Sequence, residues 1–517
     1  MTTSGLSVRT RAALAIALLV GFYALALAIA AALLLVPYAE IVYAERLDGR
    51  LALFCVVGAF LILKSIVPRR DRFEPPGPAL TAAAHPALFA MVDDVARATG
   101  QAAPAEVYVV PDVNAFVTER GGVMGVGSRR VMGIGLPLLE VLTVGELRAV
   151  IAHEFGHFVG GDTRLGPWIY KTRAAIGRTL ESLSEHSSVL GKPFEWYGLG
   201  FLRVTHAVSR QQEYVADAVA ARTAGLDAAR GALRRIAGAA AAYGSYWQSE
   251  LAPALGRGYR PPLAAGFRHF LGAPTVASQV SAVVDAELQE GKSDPYDTHP
   301  CLRDRLAALD RLGASCAAAP GDDRPARTLL GDVDALEAAL LAVLAPTDAP
   351  KLTPVSWEEA PSVVLPAGWR EVVAENRARL AGLTPQALPE LLTVPGALEV
   401  RLRLAPQESH VLDEHRAHAA AAVGSALSLA LLGGGESDAK ATRRLHAPPG
   451  EPVAFHAPGG VTVLPFAVLE GLASGSLSAE EWRAQCVAAG IAGVDLGRVD
   501  LAAGTEPPPP PPRRRFR

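Results

Sequence analysis

Cysteine is scarce in this chain of 517 residues, and its four cysteines are widely spaced with no Cys-x-x-Cys pair. This spacing excludes a disulfide framework and a zinc site built from thiolates. An excess of one charge is also absent, since 49 Lys and Arg stand against 52 Asp and Glu, a net charge of −3. The balance excludes a globally basic nucleic-acid coat protein, and we expect no nucleic-acid partner.

Charged residues as a class are few, at 20% of the chain against 50% apolar residues. This composition excludes global disorder and is compatible with a large hydrophobic core. The 49 glycines and 39 prolines indicate many loops and turns. The length predicts two to four folding units, at ~150 residues for each unit.

Two apolar runs near the N-terminus are typical of membrane-spanning helices. Residues 12–36 carry no charge, and a helix of that length exceeds the ~30 Å hydrocarbon thickness of a bilayer. Residues 51–67 form a second run, whose only charge is Lys64. A signal peptide is the alternative, but its apolar region would be shorter and would precede a soluble domain. The second run favours a hairpin of two transmembrane helices joined by an external loop at 37–50.

The orientation of the hairpin is predicted from the lysines and arginines in its short flanks. Six flank the outer ends of the two spans, and two lie in the loop between them. The six are Arg9, Arg11, Lys64, Arg69, Arg70 and Arg72, and the two are Arg46 and Arg50. Because basic flanks stay in the cytoplasm, both ends of the hairpin are predicted to be cytoplasmic. The chain is thus expected to be a multi-pass protein of the inner (plasma) membrane, with residues 1–11 and everything after Arg72 on the cytoplasmic side and the lipid bilayer as a partner.

The chain after the hairpin is predicted to be mainly α with a small β-sheet. A proline-rich linker at 74–78 is followed by a helix, two strands and a hairpin. These elements are predicted at 85–99, 106–110, 114–117 and 121–135, with the hairpin turn at 128–130. Beyond residue 152 the pattern is mainly helical, with breaks predicted near 191–193 and 260–262.

The C-terminal part, residues 320–500, is predicted to be α-rich and matches no motif that assigns it a role. Its apolar run at 419–432 is too short to span a membrane and predicts a buried helix. A second metal site is one interpretation of three histidines and two acidic residues, but a solvated amphipathic helix is favoured because no third-ligand geometry is evident. These five residues are His410, Asp413, Glu414, His415 and His418. Residues 501–517 hold six prolines and a basic end and predict a disordered, solvated tail, with attraction to anionic lipid as the alternative.

A core helix carries the first group of reactive side chains. Thr143 and Glu146 have the spacing of a capping box, which predicts a helix start, and the glycines at 160–161 predict its end. His153 and His157 are four residues apart, so both project from one side and can bind a single Zn²⁺. Glu154 lies beside the first of them and can reach a metal-bound water as a general base. A chance occurrence of this His-Glu-x-x-His pattern is disfavoured, because the helix is otherwise apolar and polar groups without partners are costly in such a helix.

A second helix offers a third ligand. Glu213 and Asp217 are four residues apart and share a face, and Ala216 and Ala220 are small enough for close helix packing. Glu213 would complete a site of two histidines and one glutamate. Asp217 would accept a hydrogen bond from a ligating histidine and fix its tautomer. An ordinary solvated helix face is the alternative interpretation of this pair taken alone.

The sequence resembles HtpX-like and CAAX-prenyl-protease-type zinc metallopeptidases, which are membrane-anchored gluzincins. Four motifs occur in the order of that family and cover roughly residues 74–312. They are Asn114-Ala-Phe116, His153-Glu-Phe-Gly-His157, Ser209-Arg-x-x-Glu-Tyr-x-Ala-Asp217 and Thr298-His-Pro300. The resemblance implies a gluzincin-type α+β metallopeptidase domain at 74–315.

The resemblance also implies a role for each motif. It implies one Zn²⁺ per chain on His153, His157 and Glu213, with Glu154 as the catalytic acid and base and Asp217 beside a ligating histidine. The strand of Asn114, Ala115 and Phe116 would hold an extended peptide substrate by main-chain pairing. His299 would donate to the oxyanion. The alternative interpretation is that residues 297–300 cap a helix beginning near Leu302. Arg305 would anchor that segment through a salt bridge.

The predicted function is that of a membrane-anchored zinc endopeptidase, in which Glu154 deprotonates a zinc-activated water. Substrates would be proteins or peptides in membrane-protein quality control or processing. A scaffold or chaperone with a structural metal is the alternative. Processing of prenylated C-termini would need a large intramembrane chamber, which two spans do not supply. HtpX-type proteins usually carry two further spans, but the charged side chains within 158–212 argue against a second hairpin here. The sequence does not specify the oligomeric state or the cleavage specificity.

Overall fold

The computed structural model describes most of the chain, in twelve stretches: residues 8–67, 73–120, 129–159, 166–184, 188–292, 299–312, 322–344, 352–393, 398, 402, 409–433 and 443–501. The chain forms two compact units. The first contains residues 1–240 and 281–345, and the second contains residues 241–280 and 346–517.

Helices account for most of the described residues. In chain order they are α1 (Val8–Tyr43), α2 (Gly49–Ile66), α3 (Pro86–Thr99), α4 (Leu136–Val141), α5 (Val144–Gly156), α6 (Gly166–Ser184), α7 (Ser188–Ala224), α8 (Leu226–Tyr246), α9 (Ala252–Gly256), α10 (Leu263–Gly272), α11 (Pro274–Glu290), α12 (Leu302–Asp310), α13 (Val333–Leu344), α14 (Ala360–Leu380), α15 (Leu388–Leu392), α16 (Ser409–Gly433), α17 (Val468–Ser474) and α18 (Ala479–Ala488).

The strands are short and form three small sheets. In chain order they are β1 (Ala79–Leu80), β2 (Glu106–Val110), β3 (Ala115–Arg120), β4 (Arg129–Gly135), β5 (Tyr259–Arg260), β6 (Thr353–Pro354), β7 (Arg444–His446), β8 (Ala454–Ala457) and β9 (Val461–Val463). A mainly helical fold with little sheet agrees with the expectation from the sequence.

The first two helices have the length and composition of membrane spans, as do residues 416–433 of α16 and no other helix in the described part of the chain. Asp48 caps the second helix by accepting hydrogen bonds from the backbone N–H groups of Arg50 and Leu51. Helix α1 continues through Pro37 instead of ending before it as predicted, so the connection is 44–48 rather than 37–50. A proline removes only one helical hydrogen bond, which is tolerated in long apolar helices.

Helices α6 and α7 pack along the α1–α2 hairpin, a feature that the sequence analysis does not predict. A cluster of buried side chains joins the four helices: Phe22, Ala26, Ala30, Ala59, Ile62, Ala175, Ile176, Leu183, Phe194 and Phe201. Polar contacts supplement it, since Tyr197 donates to the backbone oxygen of Leu18 at 2.5 Å. Helix α7 also runs through Pro193, where a break was expected, because the proline lies close to the helix start and costs one hydrogen bond.

The four-stranded sheet places β3 at an edge, in the order β1-β2-β4-β3. Strand β4 pairs parallel with β2 and antiparallel with β3. The predicted helix at 85–99 and the predicted strand at 106–110 are confirmed. Of the predicted hairpin at 121–135, residues 129–135 form β4, so 129 and 130 belong to a strand rather than to a turn. The antiparallel partner of β4 is β3 at 115–120, and residues 121–128 lie outside the described part.

The second unit has its own hydrophobic core, in which α16 is central. Val423, Ala426 and Leu427 of this helix are fully buried and pack in one cluster with Phe455 and Trp482. The apolar stretch of α16 is 61% buried, as predicted for a core helix. The side chains of residues 409–415 lie outside the described part, and they include four of the five residues for which a solvated helix was favoured over a second metal site. The break predicted near 260–262 is confirmed, because a short strand ends there and α10 begins.

Candidate metal centre

Helices α5 and α7 approach each other closely because two small residues meet at their crossing. A Cβ atom added to Gly156 would lie 2.7 Å from the Cα of Ala216, so only glycine fits at this contact. Helix α5 begins as predicted, with both hydrogen bonds of the capping box between Thr143 and Glu146. It ends at Gly156, before the predicted stop at 160–161, and His157 is its C-cap in helical conformation. The close crossing brings Glu213 of α7 opposite the two histidines.

The two histidines and Glu213 are arranged as ligands of one cation. The Nε2 atom of His153 lies 3.5 Å from Oε2 of Glu213, and the Nε2 atom of His157 lies 3.6 Å from Oε1. Two ligands of a tetrahedral zinc at ~2.1 Å would be about 3.4 Å apart. His153, Glu154 and His157 also form a group whose donor atoms lie within 4.8 Å of one another. The donor set of two imidazoles and a carboxylate therefore fits zinc.

Glu213 shows why a cation fits this place. Its side chain is buried, and its Oε2 atom accepts no hydrogen bond of good geometry, although Nδ1 of His299 lies 3.1 Å away. A buried carboxylate oxygen without a partner is costly, and a divalent cation would satisfy it. Burial raises the pKa of Glu213, but the contacts with His153 and His299 outweigh it and hold the pKa well below its usual range.

Asp217 contacts the other ring nitrogen of His153. Its Oδ1 atom lies 2.9 Å from Nδ1 of that ring, on the side opposite Nε2, which faces Glu213. Arg305 of α12 donates twice to the same carboxylate, at 2.7 and 2.9 Å. Burial opposes ionisation of Asp217, but the hydrogen bonds from Arg305 and His153 lower its pKa. Asp217 is thus placed to orient His153 without contacting the ligand side of the ring.

The same charged groups give the two histidines very different pKa values in the metal-free protein. Burial lowers the pKa of both rings, but hydrogen bonds to Asp217 and Glu213 raise that of His153 to about 9. The pKa of His157 falls to about 4, because burial is reinforced by the positive charge of His153. His153 therefore holds a proton at neutral pH, and a metal that binds its Nε2 atom must displace that proton.

Glu154 is held at the sheet edge by a backbone donor. Its carboxylate accepts a hydrogen bond from the N–H of Val117 in β3. Burial raises the pKa of Glu154 to about 7, although the charge of His153 and the Val117 hydrogen bond oppose the rise. A carboxyl group with this pKa can both accept and return a proton at neutral pH.

A cleft with a volume of about 590 Å³ contains these groups. Its wall includes Asn114 and Ala115 as well as His153, Glu154 and Glu213. The backbone oxygen of Asn114 accepts from the N–H of Gly135 at 2.7 Å, so it belongs to the sheet. Because main-chain groups alternate in direction along a strand, those of residues 115 and 117 face the free edge.

Phe116 differs from the other two residues of its motif. It pairs with Gly133 across the β3–β4 ladder, and its ring lies where a side chain of residue 133 would be. It is absent from the wall of the cleft. The structure therefore brings Asn114 and Ala115 to the candidate site and places Phe116 as packing on the sheet.

His299 lies at the entrance of the cleft with a side chain that is 60% exposed. Residues 297 and 298 are outside the described part of the chain. The N-cap of α12 is Cys301, which makes no side-chain capping bond, and the N–H of Leu302 instead donates to Glu287 of α11 at 3.0 Å. Arg305 connects the following helix to Asp217, so the segment of His299 is fixed beside Glu213.

Sequence reasoning missed three features of this site: the donor to Glu154, the partner of Arg305 and the contribution of α8 to the cleft. The spacing of motifs carried no signal for the first and third, because they depend on side chains that meet only in the fold. The salt bridge of Arg305 was expected, but without a partner.

The chain is similar to known peptidases over the part that contains this site. Residues 82–313 match the model of peptidase family M48. A protease HtpX homolog of Tropheryma whipplei (strain Twist) is 33% identical over 156 residues, which are 27% of this chain and 52% of that protein. The protease HtpX of Erwinia tasmaniensis is 28% identical over 176 residues, covering 28% and 57%. A protease HtpX homolog of Desulfatibacillum aliphaticivorans is 26% identical over 260 residues, covering 46% and 73%.

These matches are partial. The chain spans about half the length of the first curated relatives that it matches. No solved structure matches the chain.

Proposed function

Because residues 82–313 match the model of peptidase family M48 and part of the chain is similar to HtpX proteases, we propose that this protein is a membrane-anchored zinc metalloendopeptidase. The observation that carries the proposal is the convergence of His153, His157 and Glu213 at ligand distances, with Glu154 beside them. A structural metal site would not need a general base with a raised pKa facing an open cleft.

The three ligands would hold one Zn²⁺ per chain. A zinc ion bound there would polarise the peptide carbonyl and acidify a water molecule. Glu154 takes the proton from the attacking water and returns it to the leaving amine, a role that burial supports because it raises the pKa of this carboxyl group. Asp217 and Arg305 hold the His153 ring in the orientation that this arrangement needs.

The substrate is held as an extended strand. The free edge of β3 offers the main-chain groups of Ala115 and Val117, which an incoming peptide pairs with by adding a strand. His299 stands at the cleft with an exposed ring, where its N–H can donate to the developing oxyanion. Glu154 accepts the N–H of Val117, so at this residue the substrate would pair with the carbonyl oxygen, and the general base would stand beside the bound strand.

The membrane hairpin determines where cleavage takes place. Helices α1 and α2 are the spans, and the six basic flanking residues favour a cytoplasmic catalytic domain. Unfolded membrane proteins and their membrane-proximal loops are therefore the substrates that we propose, in quality control or processing.

Glu154→Gln tests the proposed function. The variant keeps the ligands and the volume of the side chain but lacks the base, so hydrolysis of an unfolded protein should fall ~10²–10⁴-fold while zinc content stays the same. Glu371→Gln, an exposed glutamate of α14, is the matched control and should behave like the wild type. Full turnover in Glu154→Gln would reject the mechanism, and a wild type that binds zinc without any turnover would favour the scaffold.

A further inference from the structure

One wall of the catalytic cleft is entirely apolar. Helix α8 contributes six side chains to the cleft, and all of them are alanine, leucine or isoleucine. Among them, Ala232, Leu233, Ile236 and Ala237 have the spacing of a single helix face. The charged side chain of Arg235 points elsewhere, since it forms an ion pair with Glu146.

Two further apolar residues extend this wall on the side of α5. Val150 of α5 and Leu138 of α4 line the same cleft. Val150 lies one turn before Glu154 on the same helix face, a displacement of ~6 Å toward the helix start. The apolar wall is therefore next to the general base and within reach of a residue that flanks the scissile bond.

This wall is not covered by other parts of the first unit. Leu233, Ile236 and Ala237 are only partly buried, although they face a cleft rather than the outer surface. The same cleft contains the polar side chains of His153, Glu154 and Glu213. An uncovered apolar wall that converges with a few polar groups is typical of a ligand site, and the volume of about 590 Å³ falls within the usual range of ~300–1,000 Å³.

We propose that the α8 wall is a side-chain pocket that selects polypeptides with a large aliphatic or aromatic residue beside the scissile bond. The inference rests on the proposed peptidase function and specifies its substrate class. A strand paired with β3 directs alternate side chains to opposite faces, so one residue beside the scissile bond can enter the pocket. A charged side chain is rejected there, because α8 offers no group that would pair with it.

Purified full-length protein, loaded with zinc in detergent, provides the test. The substrates are internally quenched peptides of one sequence, with Ala, Leu, Phe or Asp at each of the two positions that flank the scissile bond. At one of these positions, Phe or Leu should raise kcat/KM at least ~10-fold over Ala, and Asp should abolish cleavage. Equal kcat/KM for all four residues at both positions would overturn the pocket while leaving the peptidase intact.

Ala237→Phe fills the pocket. It should lower kcat/KM at least ~10-fold more for the Phe peptide than for the Ala peptide, and so remove the preference for Phe. Ala241→Phe, four residues further along α8 at an exposed position outside the cleft, is the matched control and should keep the wild-type preference. Leu233→Ala enlarges the pocket and should shift the preference from Leu toward Phe, which keeps the proposal testable if the filled variant does not fold. An unchanged preference in every folded variant would refute the assignment.

A binding measurement separates selection from chemistry. In Glu154→Gln, fluorescence anisotropy should show tighter binding of the Phe peptide than of the Ala peptide, and the additional change Ala237→Phe should remove the difference. Equal binding of the two peptides would contradict the pocket. Absence of any cleavage by the wild type would overturn the proposed function, and the pocket with it.

Discussion

Asp217→Ala should weaken zinc binding without emptying the site. Asp217 accepts from Nδ1 of His153 at 2.9 Å and does not face the ligand position. Losing a partner of this kind typically lowers metal affinity ~10–100-fold, which corresponds to about 1.4–2.7 kcal/mol. Loss of Glu213 removes a ligand instead, so Glu213→Ala should not regain activity in excess zinc, whereas Asp217→Ala should regain part of it.

The same substitution should also destabilise the fold through Arg305. The guanidinium makes two hydrogen bonds to Asp217, and its side chain is only 15% exposed. Breaking a buried pair by removing one partner costs roughly 3–5 kcal/mol, because the remaining charge is unpaired. The stranded Arg305 is also 3.6 Å from Oε2 of Glu213, where it would compete with a cation.

The double variant Asp217→Ala/Arg305→Met separates the two effects. It removes the stranded charge, so the melting temperature of the metal-free protein should recover toward that of the wild type, while zinc affinity stays low because His153 still lacks its acceptor. Zinc affinity is measured by competition with a chelating indicator, and stability by thermal unfolding in detergent. Wild-type zinc affinity in Asp217→Ala, or recovery of affinity in the double variant, would show that Asp217 does not orient His153.

Three further predictions concern packing, pH and topology. Gly156→Ala should lower both the melting temperature and the zinc affinity, since overpacking at the crossing of α5 and α7 costs ~1–3 kcal/mol. Gly244→Ala is the control, because nothing lies within 4 Å of an added Cβ there, and equal effects of the two variants would refute the packing argument. The kcat/KM should fall as the pH decreases through a midpoint at or below about 7, because Glu154 must be ionised and bound zinc lowers its pKa. A midpoint well above 7 would exclude Glu154 as the base. Impermeant reagents applied to intact cells should label a cysteine placed in the 44–48 loop and not one at the C-terminus, and the reverse pattern would invert the topology.

Local rules account for the parts of the site that the sequence predicts. The capping box of Thr143 and Glu146 specifies the start of α5, and a spacing of four residues on a helix puts two side chains on one face. The same rule pairs Glu213 with Asp217, and small residues at the crossing allow the two helices to meet. These features depend on neighbours within one or two helical turns, which a sequence shows directly.

Features that depend on distant contacts were missed or misplaced. Pro37 and Pro193 lie inside helices because each removes only one helical hydrogen bond, in a long apolar helix and near a helix start respectively. The direction of Phe116 follows from its register against Gly133, which a sequence motif does not contain. The α8 wall arises where three helices meet, and no spacing within one segment indicates it. Residues 241–280 belong to the same compact unit as the C-terminal region, which no spacing within one segment indicates.

Zinc content per chain tests the central claim most directly. Protein purified without chelators, in the wild-type form and as His157→Ala and Glu213→Ala, is analysed by mass spectrometry for metal and by amino-acid analysis for protein. The account predicts about one zinc per chain in the wild type and almost none in either variant, because each removes one of three protein ligands. A full equivalent of zinc in both variants, or none in an actively proteolytic wild type, would contradict it.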